Sequence, residues 1–232
     1  MNRKSSAALS EEAPVSHNLL GQRLGRKGLV TRQRILTAAR HLLDNRDTPI
    51  SLSAVAREAS LSMTAIYLYF ADLTELLLAL LVPVAEEAEE SHIADMREHW
   101  SDDQLTGRCH RFIQAYHRYW EAHAGLLLLR NQLADAGDER MKENRIAAST
   151  PLIALTVGQM GGAQDRLPFN HRAMAAVLIT GVDRVMTIHS AGVTPTAEMP
   201  KDYLEDVLFA QARLLELAIR EGRLHSETAT LG

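Results

Sequence analysis

Apolar residues recur at helical spacing along nearly the whole chain, and no stretch alternates with the period of a strand. From Thr31, which can cap a helix N-terminus, Ile35, Leu36, Ala39, Leu42 and Leu43 mark one buried face as far as Asp44 or Asn45. "DTPI" then predicts a turn, because Pro49 disfavours helical geometry in the residue before it. Ser51 can cap a second helix, barely two turns long, with Leu52, Val55, Ala56 and Ala59 at i, i+3, i+4 and i+7. "SLS" at 60–62 interrupts the pattern. Ser62 can cap a third helix, with Ala65, Ile66, Tyr69 and Phe70 facing inward and Met63, Thr64, Tyr67 and Leu68 facing out. Asp72 and Glu75 have capping-box spacing ahead of a leucine run.

Beyond residue 82 the pattern predicts helix after helix. Cys109, Phe112, Ile113, Tyr116, Trp120 and His123 lie on one stripe, and "STPLIAL" reads as a helix start with Pro151 in the first turn. "GQMGGAQD", 158–165, reads as a connection between helices. Two long helices close the pattern. One spans about 170–189, with Met174, Val177, Leu178, Gly181, Val185 and Ile188 in register. The other spans about 202–220, with Leu204, Val207, Leu208, Leu214 and Ala218. The fold class is all-α.

Charge divides the chain. Residues 1–81 carry ten Lys and Arg against seven Asp and Glu, whereas 82–232 carry fifteen against twenty-two. Within 19–46, Arg23, Arg26, Lys27, Arg32, Arg34, Arg40 and Arg46 oppose only Asp44. A basic front can displace counterions from a phosphate backbone; the acidic remainder cannot. The expected organisation is a disordered tail at 1–18, a first domain at 19–81, a second at 82–222 and a tail at 223–232. One cysteine, Cys109, excludes an intramolecular disulfide and fits a reducing compartment. No apolar segment follows Arg3 and Lys4, so no secretory signal is expected. The longest apolar run, Leu76 to Ala85, is too short to span a bilayer. A cytoplasmic protein without membrane contact is expected.

Short helix, three-residue turn and short helix make a helix-turn-helix, the arrangement that offers its second helix to a major groove. "TRQRILTAARHLL", "SLSAVAREASLS" and "AIYLYF" followed by a polar turn and "ELL" occur in order over about fifty residues. In these features Thr31 to about Leu81 resembles the N-terminal domain of the TetR family of bacterial transcriptional regulators. Two positions depart from the family pattern. Ser60 stands where a turn glycine is usual, and Leu73 stands where a lysine often supplies a phosphate contact. The resemblance implies a three-helix DNA-binding domain and a larger helical domain that binds an effector. It also implies homodimerisation through the last two helices and, in most members, repression of a near-palindromic double-stranded operator. The fourth helix would be the lever between the halves.

The residues suited to DNA contact are Ser51, Ser62, Met63, Thr64, Tyr67 and Leu68. Hydroxyls can meet phosphate oxygens or base edges, and Met63 a thymine methyl. No Arg or Asn lies on the third helix, so direct readout is thin. The basic segment "GQRLGRKG", 21–28, offers Arg23, Arg26 and Lys27 either as a solvated linker or as a minor-groove arm like that of homeodomains. For a small organic effector the candidates are Phe112, Tyr116, Trp120, His123, Arg130 and Asn131, with Trp100, Asp183 and His189 weaker; an aromatic or acidic molecule would suit Arg130. The same stripe also reads as plain core. No cofactor is implied. No metal site is expected, because His110 and His117 lie two turns apart and no His-x-x-x-His pair occurs. Two alternatives remain open: a DNA-binding scaffold without an effector, and a helical enzyme, for which no catalytic motif is present.

Overall fold

Capping chemistry and apolar spacing set the helix boundaries, and the computed structural model describes residues 17–19, 21–45, 49–162, 170–191 and 203–230. Among these there are eight α-helices and no strand: α1 (Arg26–Asn45), α2 (Leu52–Glu58), α3 (Met63–Tyr67), α4 (Leu73–Ala88), α5 (Leu105–Asp135), α6 (Glu139–Gln159), α7 (His171–Ser190) and α8 (Tyr203–Thr230). A π-helical turn, Glu89–Ile93, and a 3-10 turn, Ala94–Arg97, follow α4. The chain divides into two compact units between Ala79 and Leu80, inside α4. No described helix is long and apolar enough to cross a membrane.

In the first unit Ile35, Ala38, Ala39 and Leu43 of α1 are buried with Ala54, Val55, Ala56 and Ala59, and with Ile66 and Phe70. The alanines let α1 and α2 approach closely. Several starts and stops differ from the sequence expectation. Thr31 is not an N-cap: α1 begins at Arg26, and the Thr31 hydroxyl donates to the Lys27 carbonyl inside the helix. Both serine caps form, Ser51 Oγ accepting from the Ala54 amide and Ser62 Oγ from the Ala65 amide. Asp72 accepts from the Glu75 amide at 2.8 Å, while Glu75 accepts from the Ala71 amide, one residue beyond the Asp72 amide that a reciprocal box would use. Arg46 and much of "DTPI" lie outside the described residues.

The corner between α2 and α3 is a two-bond Schellman closure. The Leu61 amide donates to the Ala56 carbonyl at 2.8 Å and the Ser60 amide to the Arg57 carbonyl at 3.1 Å. That closure needs a left-handed residue, and Ser60 fills the position at φ 50°. A Cβ there costs about 1–2 kcal/mol, which glycine avoids at a smaller entropic cost. Ser60→Gly is therefore expected to stabilise the protein by about 0.5–1 kcal/mol, raising Tm by roughly 1–4 °C in a thermal melt; a lower Tm would contradict it.

In the second unit α5 packs against α6, α7 and α8. Pro151 is not at a helix start: α6 begins at Glu139, capped by Asp138 on the Met141 amide, and carries Pro151 in its interior. The first-turn tolerance of proline misled the sequence reading because the aspartate cap lay a dozen residues upstream. α8 runs on to Thr230, so residues 223–230 are helical rather than a tail. Gly222 lets α8 pass the end of α6, where a Cβ would meet Met160 Cβ at 2.6 Å. Beside it Gln159 ties three segments, donating to the Met96 and Glu98 carbonyls while its Oε1 accepts from the Trp100 amide. Arg223 closes the junction on the Gln159 and Trp100 carbonyls. Trp100 is thus a structural residue.

Buried Glu216 on α8 accepts from Thr106 and pairs with Arg213 and Arg220. Burial alone would raise its carboxyl, but the hydrogen bonds from those three residues hold it below the usual range. Burial, with the Glu216 charge nearby, pushes the Cys109 thiol up to about 12 and makes it inert.

α5 is bent at His123, whose φ −121° and ψ 15° leave helical space. The consequence is geometric. Tyr116 reaches Asp183 and Asn131 reaches Thr187, although fifteen residues of straight helix would separate the first pair of residues by about 22 Å and one turn, about 6 Å, separates the second. Both arms of the bent helix therefore address the same stretch of α7.

Candidate functional site

In the first unit the candidate nucleic-acid face is built on α3 and the segment before α1. α3 is only five residues long; Leu68 is its C-cap, and Tyr69 and Phe70 lie beyond its end, with Phe70 buried inward as its spacing predicts. Thr64 and Ser62 are exposed and Tyr67 is 50% exposed, while Met63 and Leu68 are half-buried. Ser62 and Ser51 both use a lone pair on a cap, and Ser51 also meets Ser53 at 3.0 Å. Their hydroxyls are partly committed to local structure, which leaves Thr64 and Tyr67 as the more available pair.

The preceding segment is a folded turn, beginning inside the stretch expected to be a tail. His17 bridges to Arg23, the Asn18 amide donates to the Gln22 carbonyl, and the Gln22 amide donates to Asn18 Oδ1. The Leu19 amide donates to the Leu68 carbonyl at 3.0 Å, which anchors the turn to the end of α3. Gly28 lies close against Leu24, where a Cβ would stand 2.9 Å from Leu24 Cδ2. Arg23 is thereby held beside α3, whereas Arg26 and Lys27 belong to the first turn of α1.

All three cations are exposed, and no ion pair engages them among the described residues. Other arginines are occupied: Arg34 donates to the Ser60 carbonyl, and Arg32 lies 5.2 Å over the Phe70 ring. Arg57, which the charge pattern did not single out, is exposed at the end of α2.

In the second unit Phe112, Tyr116 and His123 lie on one stripe of α5 with Tyr119, which the sequence reading passed over. His92, from the π-helical turn, packs on three of these rings, with centroids 6.1 Å from Phe112, 5.1 Å from Tyr116 and 5.0 Å from Tyr119. Burial pushes the His92 imidazole down to about 4, so it is neutral near pH 7. His123 sits 2.9 Å from Glu87 of α4. Trp120 is buried on the same stripe, and its indole N–H acts as a hydrogen-bond donor to the Tyr116 phenol. The Tyr116 hydroxyl donates to Asp183 at 3.0 Å; burial, reinforced by that carboxylate, raises its phenol well above the usual value.

Arg130 comes to the same cluster from the other arm of α5. It is only 5% exposed, its Nε donates to Asn131 Oδ1, and its charge acts on the Tyr116 and Tyr119 phenols. Asn131 Nδ2 in turn donates to Thr187 Oγ1. No carboxylate pairs with Arg130 among the described residues. The bend at His123 is the feature that helical spacing could not reveal, and it is what joins Arg130 and Asn131 to the aromatic stripe.

No protein-family model and no curated protein matches the sequence. Solved structures do match. A TetR/AcrR-family transcriptional regulator from Thermobifida fusca YX-ER1 is 19% identical, with a TM-score of 0.51 over 80% of this chain and 96% of that one. A TetR-like regulator from Rhodococcus sp. RHA1 is 20% identical, with a TM-score of 0.52 over 86% and 98%. The fatty acid degradation regulator FadR from Bacillus halodurans is 14% identical, with a TM-score of 0.52 over 85% and 96%. The chain has the all-helical fold of the TetR-type transcriptional regulators.

Proposed function

We propose that the protein is a homodimeric, ligand-responsive DNA-binding transcriptional regulator, a repressor that a small organic acid releases from a near-palindromic operator. The observation that carries the DNA-binding reading is the set of unpaired cations beside a helix-turn-helix. Arg26 and Lys27 occupy the first turn of α1, where the helix dipole disfavours positive charge and no acidic side chain compensates. That placement is poor for stability and good for a phosphate. Thr64 and Tyr67 supply hydroxyls on the adjoining helix.

The effector reading rests on Arg130. An isolated buried guanidinium costs several kcal/mol unless an anion compensates it. Rings on one side and Asn131 on the other suit a carboxylate attached to an apolar or aromatic body. Such an effector acts by binding better to the state with the wrong spacing of the two DNA-binding units, and by linkage the operator weakens the effector equally.

Dimerisation is assigned to α7 and α8. Val177 is 71% exposed, Phe209 64% and Leu214 57%, with Met174, Gly181 and Ile188 on the outer face of α7. Apolar area of this size on two adjacent helices suits a partner copy. The double variant Val177→Glu/Phe209→Glu is expected to sediment near 25.7 kDa where the parent sediments at about twice that mass. With only one half-site gripped, it should bind DNA at least about 100-fold more weakly. A monomeric parent, or a monomeric variant with full DNA affinity, contradicts the proposal.

A further inference from the structure

The first arm of α5 and the last turn of α7 bring together three side chains that no part of the proposed regulator uses. His117 and Glu121 are one turn apart on α5, with His117 Nδ1 3.5 Å from Glu121 Oε2. His189 approaches from α7, its ring centroid 5.7 Å from that of His117. One donor atom from each residue lies within 4.8 Å of the other two. From this geometry we infer a binding site for a first-row divalent transition ion, held by His117, Glu121 and His189 and open to solvent at its remaining positions.

The donor set fits that class. Two imidazoles and one carboxylate suit zinc, cobalt, nickel or ferrous iron far better than magnesium or calcium, which require mostly oxygen ligands. Tetrahedral zinc with bonds near 2.0–2.1 Å sets its ligand atoms about 3.3 Å apart. The His117–Glu121 pair is already at that separation. His189 and Glu121 are exposed and can rotate inward, while buried His117 supplies a fixed point. His117 Nε2 is buried with no hydrogen-bond partner, so the ring's polar interactions fall to Nδ1, the atom facing Glu121. No lysine or arginine pairs with Glu121 among the described residues, and the one cation that acts on the trio is Arg118, through its charge on His117.

Spacing along single helices could not find this site, because its third ligand comes from a helix about seventy residues later. A bound ion would staple α5 to α7 next to the Tyr116–Asp183 and Asn131–Thr187 bonds.

The test uses the full-length, metal-free protein with zinc and cobalt as probes. The expected result is one zinc per chain by equilibrium dialysis, a rise in Tm with added zinc, and visible cobalt absorption of a four- or five-coordinate ion. Removal of one of three ligands should weaken zinc binding by at least about tenfold in His189→Ala and in Glu121→Gln. Both positions are exposed, so the metal-free Tm of each should match the parent, and His117, whose loss would disturb the core, need not be altered. Absence of stoichiometric zinc, or equal binding by parent and variants, would leave only an i,i+4 ion pair beside a neighbouring histidine and overturns the site. None of these readings requires DNA, so their outcome is independent of the regulator proposal.

Discussion

Arg130→Met is expected to keep operator binding within about twofold of the parent while weakening release by organic acids by about 10–150-fold. The magnitude follows from losing a charge-assisted contact worth about 1.5–3 kcal/mol. Methionine fills the volume of the arginine stem without the charge, and removing a buried cation that has no carboxylate partner should leave Tm level or higher. The measurement is anisotropy of a labelled operator titrated with aromatic and aliphatic carboxylic acids, each beside its neutral amide. The parent should respond to acid and not to amide, and the variant to neither. Equal responses by parent and variant would make Arg130 a structural residue held by Asn131.

The triple variant Arg23→Ala/Arg26→Ala/Lys27→Ala should have the largest effect on DNA binding. Each phosphate contact contributes about 0.9 to the slope of log affinity against log salt, so losing three flattens it by about 2.7 for every half-site. Affinity at moderate salt should fall by at least about tenfold. The three side chains are exposed and make no ion pair among the described residues, and two of them oppose the helix dipole, so thermal stability should stay level or rise slightly. An unchanged salt slope would return the segment to a solvated linker whose turn merely packs on the end of α3.

Much of the first unit was legible in the sequence because its signals are local. A serine before an apolar periodic run has one common use, and Ser51 and Ser62 both serve as caps. Alanine-rich spacing in α2 allowed close packing with its neighbours. The misplaced start of α1 has the same origin: a threonine inside a helix can satisfy its hydroxyl on the carbonyl four residues back, as Thr31 does, and so imitate a cap.

The second unit was legible as helices but not as a site. Periodicity identified the stripe of α5, yet nothing local marked His123 as the bend. Without that bend Arg130 and Asn131 lie some 20 Å along the axis from Tyr116. Tyr119 and His92 were missed because each needs a partner from elsewhere in the fold to acquire meaning. On α7 the pattern picked out Met174, Val177 and Ile188, which are exposed, whereas Ala175, Ile179, Val182 and Met186 fill the core. A helix with apolar residues on two faces does not say which face meets its own chain and which is left for a partner.

The most direct measurement is selection from randomised duplex DNA by the purified protein, with the retained sequences then titrated at two salt concentrations. The account predicts a near-palindromic consensus whose half-sites lie about one helical turn, roughly 34 Å, apart, bound with a steep salt dependence. Recovery of no preferred sequence at either salt, with and without added organic acids, would contradict it and leave the α2–α3 corner a packing device alone.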